Sequence, residues 1–133
     1  MSSIFSRIIR REIPAHIIAE DNDHIAFLDI NPLVIGHALA IPKEEVDYIY
    51  DLTDEALTGL QLFSKKVAKA IEKTVECQRI GIAVIGLEVP HAHIHLIPIN
   101  TMDDMNFNRP KLSPTKEELE NTASAISKNF SSL

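Results

Sequence analysis

Three of the six histidines in this 133-residue chain fall at alternate positions, His91, His93 and His95, in a run that reads Val89-Pro-His-Ala-His-Ile-His-Leu-Ile-Pro-Ile99. A β-strand repeats its side-chain direction every two residues, so an extended run places the three imidazoles on one face, roughly 6.6 Å apart. A histidine on an apolar strand is ordinarily a hydrogen-bonded packing residue. Three in register would leave six ring nitrogens to satisfy in one patch, at ~1 to 3 kcal/mol for each one left unpaired, so the spacing points to chemistry.

Two chemistries use such a cluster. Neutral imidazole is a common metal ligand, and a metal-dependent enzyme is one alternative, with His37, His24, Asp29 or Glu88 as further ligands; successive strand imidazoles fan out too widely to meet on one ion without a bulge. The other is nucleophilic catalysis at phosphorus. An imidazole Nε2 attacks well when its Nδ1 holds a proton and donates it to a fixed acceptor, while neighbouring rings orient it and bind phosphate oxygens. A covalent phospho-histidine then divides one hard displacement into two easier ones, completed by water.

The flanking sequence supplies the frame. Ile4, Phe5, Ile8 and Ile9 space as a short amphipathic helix capped by Ser2 or Ser3 and ended by Ile13-Pro14. Short strands are expected over Ile17 to Ala19, His24 to Asp29 and His37 to Ile41, the last closed by Pro42. Leu57, Leu60, Phe63, Val67, Ile71 and Val75 form the stripe of a long helix from about residue 53 to 76, with Thr53 as its cap. Arg79 to Ile85 and a histidine strand beginning near Val89 or His91 read as an antiparallel pair. Thr101 to Leu112 has no period and reads as a loop, and Thr115 to Glu118 is a capping box opening a last helix. With no repeated βαβ unit and no Gly-rich phosphate loop, an antiparallel α+β fold is favoured over a doubly wound one.

Composition bounds the rest. Residues 1–133 are expected to form one domain, and 45% hydrophobic with 24% charged residues is ordinary for a globular chain. A lone cysteine, Cys77, excludes an internal disulfide framework and reads as a buried small hydrophobe, which fits a reducing, cytoplasmic setting. No run approaches ~18 apolar residues, so no membrane partner is expected. The net charge of -6 argues against a nucleic-acid partner while leaving room for a small phosphorylated ligand.

His91-Ala-His-Ile-His-Leu-Ile97 resembles the histidine triad motif of the HIT superfamily. Glu12-Ile-Pro-Ala15, Phe27-Leu-Asp-Ile-Asn-Pro32 and Gly36-His-Ala-Leu-Ala-Ile-Pro-Lys43 resemble blocks of its Hint-like branch in the same order, so the likeness spans residues 3 to 99. It implies an α+β domain with a five-stranded antiparallel sheet, a homodimer and a purine nucleotide ligand, with no cofactor. It implies hydrolysis of a nucleoside phosphoramidate or related nucleotide through a nucleotidyl-histidine, with His93 as nucleophile, His91 fixing its ring and His95 on the phosphate. Asp29 would bind the ribose hydroxyls. Ile4, Phe5, Ile8, Phe27 and Ile30 would hold the base, His37 would sit beside the triad, and Gly86, Leu87 and Glu88 would lie on the phosphate side.

Departures from the motif bear on function. Relatives carry Gly-Gln-Ser or Gly-Gln-Thr where this chain has Gly86-Leu-Glu88, so a hydroxyl donor has become a carboxylate, which, if turned inward, would repel a phosphate oxygen and favour a cationic amine leaving group. The Asn-containing loop before that glycine is shortened. Zinc-bearing relatives carry Cys-x-x-Cys where this chain has Ser3-Ile-Phe-Ser6, and serine hydroxyls are poor zinc ligands, so no metal is expected. The alternative left by Leu87 and Glu88 is a nucleotide-binding regulatory module with little catalysis.

Overall fold

The computed structural model describes residues 2–133. Helix α1 spans Ile4–Ile9, strands β1, β2 and β3 span Ile17–Glu20, His24–Leu28 and Ala38–Pro42, and helix α2 spans Asp54–Thr74. Strands β4 (Arg79–Ala83) and β5 (Ile94–Ile99) follow, then helix α3 (Lys116–Ser131). The strands form one antiparallel sheet in the order β1-β2-β3-β5-β4. This is the expected succession, with two 3-10 turns added at Ile49–Asp51 and Met102–Met105. The second lies inside the segment read from sequence as an aperiodic loop. Among the described residues no helix is long and apolar enough to cross a membrane.

Alternation along β2, β3 and β5 sorts side chains onto two faces. Ala26, Leu28, Ala38, Ala40, Ile94 and Leu96 lie beneath Leu60, Phe63, Val67, Ala70 and Ile71 of α2. The alanines let the helix approach the middle of the sheet. The cap foreseen from Thr53 is present, its hydroxyl accepting from Ala56 N at 3.1 Å. Leu119, Ala123 and Ile126 of α3 close this core beside β1. Ile25, Phe27, Leu39 and Ile41 face the other way, onto Phe5 and Ile8 of α1. The helix α1 is thus seated by a few large side chains, each contributing about 1.5 to 3 kcal/mol on burial.

His24 points to the α2 side, where its ring stacks on Phe63 at 5.0 Å and its Nδ1 meets Asp21 at 2.9 Å. It is on the wrong face to join the other histidines as a ligand. Cys77 is half-buried rather than buried, and desolvation pushes its thiol upward.

Candidate active site

The histidine run does not form one continuous strand. β5 begins only at Ile94, so His95 alone is a strand residue and His91 and His93 lie in the loop before it. The physical reason is Pro42. The ladder with β3 runs to the Ala40–Ile94 pair; beyond Ile41 and His93, the next hydrogen-bonded pair would set Ala92 opposite Pro42, which has no N–H to give. The Pro42 carbonyl is instead taken by the His91 ring, whose Nε2 lies 2.7 Å away, and Ala92 N bonds to Val46 O at 2.7 Å. Although out of the pleat, His91 and His93 keep to the α1 side of the sheet with His95: Phe5 stands edge-on to His91 and His93 at 5.9 and 5.1 Å, and His93 lies 5.1 Å from His95.

Their partners assign their tautomers. A carbonyl only accepts, so His93 Nδ1, 2.7 Å from His91 O, carries a proton and leaves the Nε2 lone pair free. Leu33 N–H donates to His37 Nδ1 at 3.1 Å, which puts the proton of neutral His37 on Nε2. That proton is donated to His95 Nδ1 at 2.9 Å, so neutral His95 carries its own proton on Nε2. A nucleophilic lone pair on one ring and a donor on the next stand side by side, with ring centres 5.1 Å apart.

His91, wholly buried, is pinned at both nitrogens. Nε2–H donates to Pro42 O, and Nδ1 accepts from the Ser3 hydroxyl at 2.8 Å. Ser3 N–H and the Ser6 hydroxyl both donate to Glu45 Oε1 at 2.6 Å. These bonds hold the exposed Glu45 carboxyl well down, to about 2, the Ser6 hydroxyl contributing most. Ser3 and Ser6 therefore tie α1 to the loop that carries His91 by hydrogen bonds. The sequence marks Ser3 as a helix cap and Ser3 and Ser6 as a replaced cysteine pair, but nothing in it marks Glu45 or the bonds that join the three.

Asp29 follows β2 on the same face as Phe27, and its Oδ1 accepts from Asn31 N–H at 2.9 Å. Burial raises its carboxyl above the ordinary range, against the lowering effect of that bond. Beside it, Ile4, Phe5, Ile8, Phe27, Ile30 and Leu39 line an apolar slot, which gathers every residue expected to hold a base. Gly86 turns with φ +75°, in the left-handed region that favours glycine, and beyond it Leu87 is 87% exposed and Glu88 is exposed. These two side chains extend to solvent rather than into the slot. Phe107 is an unforeseen neighbour, its ring edge-on to His95 at 5.0 Å between centres.

Asp29, His37 and His95 bring three ligand atoms within 4.8 Å of one another. The donor set does not suit a cation. To ligate through Nε2, His37 would have to carry its proton on Nδ1, where Leu33 N–H already points as a donor. Nor is the 3.8 Å approach of His37 to Asp29 an ion pair: burial raises the carboxyl and lowers the imidazole, so both are driven toward their neutral forms.

Burial, with the facing His95 and Lys111, pushes His37 down to about 3, and burial with His93 pushes His95 down to about 4, from an ordinary value of 6.5. Their neutral forms stabilise the fold fully above pH 6.5, and that contribution is lost as pH falls toward 4 and 3, since the unfolded chain binds more protons there. Asp29, shifted upward, offsets part of this at the acid end. The melting temperature should decline already between about pH 6.5 and 5, where most carboxylates stay ionised; a flat profile over that span in calorimetry would contradict these protonation states.

Residues 10–102 match the family model described as the HIT domain. An uncharacterized HIT-like protein of Borreliella burgdorferi is 34% identical over 135 residues, covering 96% of this chain and 97% of its own. An adenosine 5'-monophosphoramidase of Schizosaccharomyces pombe is 41% identical over 100 residues, 74% of each chain. The crystal structure of a Hit-like protein from Bartonella henselae superposes with a TM-score of 0.82 at 32% identity, covering 96% of both chains. With the histidine run, the five-stranded sheet and these likenesses in agreement, the chain belongs to the HIT family.

Proposed function

We propose that this protein is a nucleotide hydrolase that cleaves at the α-phosphate of a purine nucleoside phosphoramidate or a related nucleotide. The observation that carries this reading is the 2.7 Å bond from His93 Nδ1–H to the His91 carbonyl, which leaves Nε2 as a nucleophile. Nε2 attacks phosphorus, the bond from phosphorus to the leaving amine breaks, and the amine takes a proton from solvent as it departs. Water then attacks the nucleotidyl-histidine and gives a proton back to solvent, the bond from phosphorus to Nε2 breaks, and its electron pair returns to the ring. The His91 carbonyl stabilises the positive charge that the ring carries as the intermediate, and His95 Nε2–H donates to a phosphate oxygen whose charge grows in the transition state. Asp29 accepts the ribose hydroxyls and the apolar slot takes the base. The activity named for the fission-yeast relative supports an amine as leaving group.

Mass spectrometry of protein quenched during turnover of an adenosine phosphoramidate tests the mechanism. An AMP adduct on His93 is the expected result; binding without adduct or turnover would favour a nucleotide-binding module instead. The same reading includes a homodimer. The unpaired edge of β4 carries Ile82, 58% exposed, next to Val84 and Ile85, and an exposed apolar edge strand calls for a cover. Sedimentation should give a dimer at micromolar concentration, and a monomer there would remove it.

A further inference from the structure

We infer that the segment from Thr101 to Leu112 is a positioning element for the phosphate-facing histidines, gripping the backbone at Leu33 that fixes the tautomer of His37 and, through it, of His95. The inference rests on the proposed role of His95 as a phosphate donor. Its starting point is a single planar peptide unit, Pro32–Leu33. The oxygen of this unit accepts from Leu112 N–H at 2.9 Å, and its N–H donates to His37 Nδ1 at 3.1 Å. Because the unit is planar, holding the oxygen aims the N–H. The hydrogen bonds therefore run in one direction, from Leu112 N–H through the Pro32–Leu33 peptide, then His37, then His95, and end on the His95 Nε2–H that faces the site. Bonds in such a chain polarise one another, strengthening the last donor.

Arg109 holds the next peptide. Its Nη2 donates to Leu33 O at 2.7 Å, while its Nη1 is held by Asp103 Oδ2 at 3.1 Å and Asp104 Oδ1 at 3.3 Å. Asp104 in turn accepts from Asn100 N and Thr101 N at 2.8 and 3.1 Å, anchoring the segment to the end of β5. One strap thus joins the strand that carries His95 to the loop that carries Leu33. Phe107, in the middle of the strap, stands edge-on to both rings, 5.0 Å from His95 and 6.3 Å from His37, and keeps water from them. The titratable or charged groups facing the pair are Asp29, His93 and Lys111. The depressed basicity of both imidazoles agrees with a dry, neutral, directional pair.

The test is nitrogen-15 NMR of the imidazole rings in the ligand-free protein, together with pH–rate profiles. In the wild type, His37 and His95 should both be neutral Nε2–H tautomers near pH 7. Arg109→Ala should mix these tautomers, and Phe107→Ala should move the His95 titration upward, toward the ordinary 6.5. Both should lower kcat roughly 10- to 100-fold with KM little changed, as displacement of a catalytic group does. Leu112→Pro, which removes the N–H that starts the chain, should reproduce the tautomer mixing.

Folded variants with wild-type ring shifts and pH–rate profiles would overturn the inference. So would a wild-type His37 found with its proton on Nδ1, a result that needs no variant to fold. The ring spectra require no substrate. Wild-type protein that shows the expected tautomers yet fails to turn over phosphoramidates would count against the proposed function and leave the strap's role standing.

Discussion

Replacing His93 by asparagine is expected to abolish turnover while leaving nucleotide binding within a few-fold of wild type. The asparagine amide can still donate to the His91 carbonyl, so the bond that holds the loop at 2.7 Å is preserved in kind. What is lost is the lone pair, because an amide nitrogen is not a nucleophile. Removing the attacking group of a covalent mechanism costs on the order of 10^4-fold or more in kcat. His93→Ala should be as inactive but less stable, since the ring is buried and packs edge-on against Phe5 at 5.1 Å. Steady-state kinetics with calorimetric measurement of nucleotide affinity separates the two effects. Wild-type-like turnover in both variants would take His93 out of the mechanism.

The elements of the fold were legible because each carries a local signal. Thr53 and Thr115 cap the helices foreseen for them, and the alternation of small and large residues from Ala38 to Ile41 marks a strand buried on both sides. The histidine strand was misread for a reason that lies 50 residues away: Pro42 stops the ladder, and no period within residues 89 to 99 records the partner strand's missing N–H. The three rings do gather on one side of the sheet, but two of them stand in a loop and only His95 in a strand. The supports of the site were illegible on similar grounds. Ser3, Glu45, Leu33 and Arg109 act through contacts between distant segments, and Arg109 reaches a backbone carbonyl, a partner that every residue offers and no side-chain pattern announces. Phe107 sits in a stretch without periodicity because a strap over a site answers to the site's shape, with no helix or strand period of its own.

Asp29 provides a second test of the proposed function, through affinity rather than rate. In the free protein the carboxylate is substantially desolvated yet has one backbone donor, Asn31 N–H, and burial raises its pKa against that bond. A half-buried acceptor gains from a ligand that brings donors, and a ribose brings two hydroxyls. Hydrogen bonds to a charged acceptor contribute about 1.5 to 3 kcal/mol each. Asp29→Ala should therefore weaken a ribonucleotide roughly 10- to 100-fold, at about 1.4 kcal/mol for each factor of ten. A 2',3'-dideoxy analogue should bind wild type and variant alike.

The sign of the pKa shift adds a pH signature. Because Asp29 protonates at a higher pH than an ordinary carboxyl, ribonucleotide affinity should begin to fall on acidification before most carboxylates titrate, and Asp29→Asn should remove that limb. The same substitution relieves the desolvated charge, so it should raise the melting temperature while lowering affinity. Stability and binding moving in opposite directions is the pattern of a residue kept for its ligand. If Asp29→Asn left ribonucleotide affinity unchanged, the ribose would have to be placed elsewhere.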